Sequence, residues 1–346
     1  MKVTYIALDP LRYPRIKKIA HTLRKYSNID FHVMIPKIRL ISRGGKIKRV
    51  IYAIVNYASI ILQIFFVKSD IFWVANCPDI LVIPLILRRK QYILEYRSPW
   101  SLDVENEFGR GLLVRLASFV EYFALKHARI VTLTTSRLFI KVKGFRKPIF
   151  IIPNYPLKNF GTVTVPRAEF RSRYGCREGD SIVLFVGKLT RTEGADLLPK
   201  IMEDVLKSRN DAVFWIVGDG PLYPLLEEFA KRFHGKIKLF GWQPYKFVPN
   251  FINAADVCIK MRRSKYSEYY NEEGVQKLSE YMFFEKPIVA CGVAESSEYL
   301  LVDEDKMADG ILKALRGEAP RSNRRTWEEY SEEKIYEMLE LIKSLI

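Results

Sequence analysis

Asn271-Glu-Glu-Gly-Val-Gln-Lys-Leu-Ser-Glu-Tyr-Met-Phe-Phe-Glu-Lys-Pro-Ile-Val-Ala290 reads as a glycine-led helix followed by a buried strand. Gly274 precedes a segment with helical apolar spacing, Val275–Phe284, and Ile288–Cys291 is a short β-branched run. A helix that begins this way leaves the N–H groups near Gly274, Val275 and Gln276 unpaired and able to face an anion. Lys277 adds a full positive charge. Glu280 sits about one turn further in, where a carboxylate can accept from both hydroxyls of a ribose. Glu272 and Glu280 stand roughly 12 Å apart if the whole stretch is helical. That is too far for two carboxylates flanking one glycosidic bond, but it suits the two ends of an extended ligand.

Outward from this helix–strand unit, the same alternation runs through the chain. In the second half the strand candidates are Ile182–Val186, Val213–Val217, Ile237–Phe240, Val257–Met261 and Ile288–Cys291. Helix candidates between them are Ala195–Lys207, Leu222–Phe233, Tyr245–Asn253 and Val275–Phe284. The first half offers strands Val3–Leu8, Phe31–Ile35, Asp70–Ala75, Tyr92–Tyr96, Ile130–Thr134 and Ile149–Ile152. Its helix candidates are Ile16–Tyr26, Val50–Val67, Asp79–Leu87 and Leu112–His127. Such alternation predicts α/β architecture, two Rossmann-like domains whose parallel sheets face a central cleft. A polar stretch from Asn154 to about Pro166 reads as the linker. The expected division is 1–160, 161–330 and a C-terminal helix, 331–346, packing back across the domains.

With 346 residues, 49% of them apolar, the chain can bury two cores, which excludes global disorder. Cys77, Cys176, Cys258 and Cys291 are scattered, so they read as reduced thiols of a cytoplasmic protein rather than disulfides or metal ligands. Met1 runs almost straight into a strand, which argues against a signal peptide. Scarce glutamine beside abundant Lys, Arg, Glu and Ile suggests a thermophile. Residues 1–160 hold 28 Lys+Arg against 9 Asp+Glu, a net of +19, while residues 161–346 hold 28 against 30. The first half should therefore face something anionic, unless its charge serves solubility alone. Val50–Val67 is about long enough to span a bilayer. Its polar Asn56, Ser59 and Gln63 favour a buried helix over a sheet. Lys37, Arg39, Arg43, Lys46, Lys48 and Arg49 just before it suit either a membrane surface or a solvated loop.

Three other segments carry unusual residues at strand ends. Phe185-Val-Gly-Lys-Leu-Thr-Arg-Thr-Glu-Gly194 places Gly187, Lys188 and Arg191 in a turn where a diphosphate can be neutralised, although any strand–helix turn can hold such residues. Val217-Gly-Asp-Gly-Pro221 contains Gly218 and is equally a tight connection. Phe240-Gly-Trp-Gln-Pro244 offers Trp242 as a platform for a nucleobase, or is ordinary loop. Together and in this order, the four segments resemble the family 4 retaining glycosyltransferases of the GT-B fold. The resemblance covers most of 181–330, and the first half is similar more loosely, at Asn76-Cys-Pro-Asp79, Glu121 and Ile151-Ile-Pro-Asn154. It implies transfer of a hexose-type sugar from a nucleotide diphosphate sugar, without a metal or other cofactor, and with retention through front-face attack. Lys188 would hold the diphosphate with Gly187 close to it, Glu272 the transferred sugar, Gly274 to Lys277 the distal phosphate, and Glu280 the ribose. Three places depart from the pattern. Glu193 stands where the family usually has a lysine, Glu273 where glycine is common, and Asp9-Pro-Leu-Arg-Tyr-Pro-Arg15 replaces a glycine-rich loop.

On the acceptor side, Glu95-Tyr-Arg-Ser-Pro-Trp-Ser-Leu-Asp-Val-Glu105 follows a strand, and Arg97, Asp103 and Glu105 are the candidate contacts, unless this is a loop held by local ion pairs. The histidines His21, His32, His127 and His234 occupy no obvious strand end. The expected partners are a nucleotide-sugar donor and a glycan or lipid-phosphate-linked acceptor, with the protein cytoplasmic or peripheral on the cytoplasmic membrane face. Asp303-Glu-Asp305 reads as a solvated run. The alternatives are a nucleotide-sugar epimerase of the same fold and a catalytically silent nucleotide-sugar-binding protein. Nucleic-acid binding lacks a motif.

Overall fold

Val3, Tyr5, the whole of Ile71–Ala75 and the whole of Tyr92–Tyr96 are buried, as strands covered on both faces must be. In the computed structural model, which describes residues 1–7, 14–26, 29–35, 46–76, 78–263 and 266–345, these strands build the first of two parallel sheets. Its elements run β1 (Lys2–Ile6), α1 (Pro14–Arg24), β2 (Asp30–Met34), α2 (Lys46–Phe66), β3 (Ile71–Ala75), α3 (Ile83–Leu87), β4 (Tyr92–Tyr96), α4 (Trp100–Phe108), α5 (Leu112–His127), β5 (Ile130–Leu133), α6 (Phe139–Val142) and β6 (Ile149–Ile151). The strand order is β2-β1-β3-β4-β5-β6, with Val3 opposite Ile71 and Phe72 opposite Tyr92.

The second unit continues with α7 (Arg167–Arg173), β7 (Ser181–Val186), α8 (Leu198–Ser208), β8 (Ala212–Val217), α9 (Tyr223–Ala230), β9 (Ile237–Leu239), α10 (Val248–Ala254), β10 (Val257–Met261), α11 (Gln276–Phe283), β11 (Ile288–Cys291), β12 (Leu300–Leu301) and α12 (Met307–Leu315). The turn α13 (Trp327–Tyr330) and the helix α14 (Glu332–Leu345) close the chain. Strand order here is β12-β11-β10-β7-β8-β9, all parallel. Contacts divide the chain into Met1–Pro153 with Tyr330–Ile346, and Asn154–Glu329. In the second sheet β7 and β10 are neighbours, and the chain leaves them in opposite directions. The crevice beyond their carboxyl ends is a topological switch point, where open α/β sheets bind ligands.

Several elements differ from the sequence reading. Asp79–Leu87 is a turn of 3₁₀ helix followed by α3, because Pro84 lacks an N–H and restarts the helix as one of its first residues. Trp100–Phe108, part of which was expected as loop, is the helix α4; its inward residues Ser101 and Glu105 are polar, so no apolar stripe announces it. The short elements α7, β12 and α12 were not anticipated. The tail from Glu328 onward, whose apolar spacing predicts one amphipathic helix, breaks at Ser331, whose Oγ donates to the Pro153 carbonyl at 2.8 Å. Val50–Val67 becomes α2, and among the described residues no helix is long and apolar enough to cross a membrane. It covers the sheet through Ile60 and Ile64, but Phe66 is 82% exposed, so burial is one-sided. Residues Asp9 to Tyr13, Lys37, Arg39, Arg43 and Cys77, on which expectations also rested, lie outside the described residues.

Candidate functional site

The loop after β7 and the loop after β8 meet backbone to backbone. A Cβ on Gly218, whose φ is +146°, would lie 1.8 Å from the Gly187 carbonyl oxygen. The N–H of Gly187 donates to Val217 at 3.0 Å, and that of Leu189 to Asp219 at 3.0 Å. Glycine at 218 is thus demanded by close packing of the two turns. That packing presents Lys188 and Arg191 on the outside of the first loop, both exposed and neither in an ion pair among the described residues. They are open cations at the switch point. Trp242, in the loop after β9, is 70% exposed.

Across the switch point stands the start of α11. The N–H groups of Gly274 and Val275 are taken by the Asn271 carbonyl, at 3.2 and 2.8 Å. Val275 occupies the N-cap with no side-chain cap, so the first-turn amides of α11 keep their positive end open. Lys277 Nζ donates to Glu280 Oε2 at 2.6 Å and Gln276 Nε2 to Glu280 Oε1 at 2.5 Å. Tyr245 OH lies 3.4 Å from Gln276 Nε2, and its pKa is pushed well up by burial and by the Glu280 charge. Glu280 is fully buried beneath these groups. A ligand hydroxyl reaches its carboxylate only by displacing Gln276 or Lys277.

Glu272 is different in kind. It is buried, its Oε1 lies 3.9 Å from Arg325 Nη1, and its Oε2 has no hydrogen-bond partner among the described residues. Burial raises its pKa, Glu273 adds to the shift, and Ser296 and Arg325 offset part of it. Arg325 is itself committed to Glu298 Oε1 at 2.5 Å and to Tyr155 OH at 2.9 Å. The sequence reading missed Arg325, Glu298 and Tyr245. Lys286, in the family-like stretch, is structural: its Nζ donates to the carbonyls of Asn253 and Ala255, each at 2.8 Å, at the end of α10.

Glu193, which stands where the resemblance expects a lysine, pairs with Lys260 Nζ and lies 3.6 Å from Arg262 Nη1. Burial alone would raise its pKa, but Lys260, Arg262 and Lys188 hold it below the ordinary carboxylate value. Lys260 sits on β10 with its side chain 3% exposed. Burial pulls its pKa down, and Glu193 opposes that. Arg262 stacks on the Tyr270 ring at 3.8 Å from its centroid. One carboxylate and two cations leave this cluster with a net positive charge. A lone lysine inside the apolar run Val257-Cys-Ile-Lys-Met261 was the signal that could have revealed it.

Arg97 and Asp103 lie in the other unit, beyond β4. The Arg97 N–H donates to Asn76 Oδ1 at 2.8 Å and its Nη2 to the Asn76 carbonyl at 2.9 Å. Asp103 Oδ2 accepts from Ser98 Oγ at 2.7 Å, and Glu105 pairs with Arg110 at 3.0 Å. Glu121 accepts from Tyr96 OH at 2.5 Å and the Ser101 N–H at 2.9 Å. Arg15, the last residue of the stretch replacing the glycine-rich loop, is buried against Glu95 at 2.8 Å. Asp79 is completely buried, and neither of its oxygens has a well-formed hydrogen bond among the described residues; the neighbouring Asn76 amide donates to the Ser98 carbonyl at 2.6 Å. Burial and then the Glu121 charge push its pKa well up, and Asn76 offsets only part. A raised carboxyl pKa gives stability that is complete below the unfolded value, about 3.9, and lost as pH rises through the folded one. Asp79→Asn is therefore expected to stabilise the fold by about 1–3 kcal/mol at neutral pH and by nothing in acid, as read from melts across that range.

Comparison with known proteins bears on this arrangement. Residues 180–317 match the family model described as glycosyl transferases group 1. Over 126 residues the chain is 30% identical to an alpha-D-kanosaminyltransferase of Streptomyces kanamyceticus, a stretch making up 36% of this chain and 31% of that protein. The chain thus spans about a third of the curated relative it matches. Among solved structures, Anabaena Alr3699/HepE in complex with UDP superposes with a TM-score of 0.64 at 12% identity, over 100% of both chains. Sucrose-phosphate synthase from Thermosynechococcus elongatus gives 0.69 at 15%, over 100% of this chain and 99% of that one. WaaG, a glycosyltransferase involved in lipopolysaccharide biosynthesis, gives 0.62 at 14%, over 91% and 90%. Two six-stranded parallel sheets of this order give the chain the GT-B fold of these structures, and the match to the glycosyl transferases group 1 model lies within its second unit.

Proposed function

We propose that the chain is a retaining hexosyltransferase that takes a sugar from a nucleoside diphosphate donor held in the second unit. The observation that carries this reading is the pairing of an uncapped helix start with a carboxylate on either side of it, Glu272 and Glu280, beside the open cations Lys188 and Arg191. The amides of α11 and these cations suit a diphosphate, Glu280 a ribose, and Glu272 the hydroxyls of the transferred sugar. As the sugar–phosphate bond breaks, charge builds on the leaving diphosphate. Lys188, Arg191 and Lys277 stabilise it without calling on a metal. The acceptor hydroxyl attacks from the same face and passes its proton to that phosphate, which gives retention. The acceptor is a glycan or lipid-phosphate-linked hydroxyl, met by the basic first unit around Arg97 and Asp103.

The donor is identified by a thermal-shift screen of UDP-, GDP- and ADP-sugars. UDP leads because it is the nucleotide in the HepE complex. One donor is expected to raise the melting temperature, and Glu280→Ala to abolish that rise. A donor-specific rise that survives Glu280→Ala refutes the ribose assignment. The fold also serves a UDP-N-acetylglucosamine 2-epimerase, which superposes with a TM-score of 0.61. Release of nucleoside diphosphate only when acceptor is present supports transfer, whereas conversion of the donor sugar without acceptor supports epimerisation.

A further inference from the structure

The first unit carries an apolar surface that its own fold leaves uncovered. In the order β2-β1-β3-β4-β5-β6, every connection from β2 onward steps the same way across the sheet. Right-handed crossovers therefore put α2 to α6 on one face and α1 on the other. The helix α14 joins α1, with Tyr336 stacked on Tyr26 at 5.1 Å. Of the 22 large apolar side chains exposed among the described residues, 14 lie on α2 to α6, so the exposure is concentrated rather than scattered.

On α5 the side chains of Leu112, Leu113, Leu116, Phe119 and Tyr122 follow helical spacing and are 49% to 71% exposed. The opposite stripe, Ala117, Ala124 and Leu125, is buried. An ordinary surface helix is polar on its outer side; this one is apolar on both. The same holds for α2, where Ile60 and Ile64 face inward while Leu62 and Phe66 face out. Beside it a cavity of about 300 Å³ is lined, among the described residues, by Ile61, Phe65, Ile80, Ile83, Pro84 and Leu87. Phe139 and Ile140 extend the exposed surface on α6, and the Phe145 ring just after it packs on Tyr122 at 5.6 Å.

Charge says what covers this face. Between Pro84 and Lys147 there are 13 Lys and Arg against five Asp and Glu. Of those acids Glu95, Glu105 and Glu121 are buried and Asp103 is half-buried, which leaves Glu107 as the exposed one. Arg115 and Lys126 are exposed on α5 itself. A second copy presenting the same basic rim would be repelled, whereas an anionic lipid surface is complementary to it.

We propose that this face docks on a bilayer containing anionic lipid. The outer stripe of α5 enters the acyl boundary, and Arg115 and Lys126 lie at headgroup level. The proposal deepens the reading of the first unit as the side that meets a lipid-linked acceptor, but vesicle binding is measured without turnover.

Flotation of the whole chain with phosphatidylcholine vesicles, with and without phosphatidylglycerol, tests it. Binding is expected only with phosphatidylglycerol. L116S/F119S and R115E/K126E are each expected to cut the bound fraction about tenfold or more, while both keep the wild-type melting shift with UDP and so are folded. No flotation of the wild type overturns the proposal. So does L116S/F119S floating as wild type, because binding is then charge alone. A wild-type dimer that this variant turns into monomer, with no flotation, assigns the face to self-contact and also overturns it. Flotation in a chain that shows no nucleotide shift leaves this proposal standing while the donor reading falls.

Discussion

Glu272→Gln is expected to lower sugar transfer by about 10²–10³-fold and, in the same molecule, to raise the melting temperature. The two effects share one cause. The Glu272 carboxylate is buried, one of its oxygens has no hydrogen-bond partner among the described residues, and the like charge of Glu273 adjoins it. A group in that state opposes folding, and it is retained where a ligand completes it. Removing its charge does not strand Arg325, which stays on Glu298 at 2.5 Å. The relief is about 1 kcal/mol, or about 2–4 °C in a unit of this size. Its pH dependence has a definite sign. With the folded pKa raised above the unfolded value of about 4.3, stability is complete in acid and is lost as pH rises through the folded value. The advantage of the glutamine variant is therefore absent in acid and grows toward neutrality. In the proposed role of Glu272 on the transferred sugar, the interaction would strengthen as the sugar flattens and gains charge, so the loss is expected to fall on kcat more than on KM. A variant that turns over and melts like the wild type removes Glu272 from the site.

The fold was legible because parallel strands buried on both faces must be written in continuous apolar runs. Tyr92–Tyr96, Val257–Met261 and Ile288–Cys291 have the bounds that their composition predicts. The helix Leu112–His127 was equally plain, but periodicity could not say that it is apolar on both sides. The helix α4 was hidden by its polar inward residues, and the strand β12 by its two-residue length. At the candidate site, the glycine-led start of α11 could be read from Gly274 and the helical apolar spacing after it. That Gln276 and Lys277 close over Glu280 could not, since i+3 and i+4 neighbours on a helix pair or part according to what else faces them. Residues brought from elsewhere, Arg325 behind Glu272 and Lys260 beneath Glu193, depend on tertiary packing. Of these, only Lys260 left a trace, as a charge in a strand that is otherwise apolar.

That trace makes Glu193 the second residue whose replacement should have a large effect. Glu193→Gln is expected to destabilise the second unit by about 3 kcal/mol, and Lys260→Met in the same chain to restore most of the loss. Lys260 is 3% exposed and lies in the field of two other cations, Arg262 and Lys277. Glu193 is the group that keeps its charge tolerable there, so without it a buried ammonium has no counter-ion. The pH dependence again has one sign. Burial already depresses the Lys260 pKa, and loss of Glu193 depresses it further. The penalty for charging such a lysine is full at neutral pH and fades as pH rises toward the unfolded value of about 10.4. The deficit of Glu193→Gln should therefore shrink in alkaline melts, and the double variant should show no such trend. Nucleotide binding separates this role from the one the resemblance assigns to the position. The double variant carries the same local charge as the wild type and leaves Arg262 on its Tyr270 face, so it is expected to bind UDP as the wild type does. A double variant that is stable but binds UDP much more weakly would instead place Lys260 among the groups that hold the diphosphate, with Glu193 as the carboxylate that aims it.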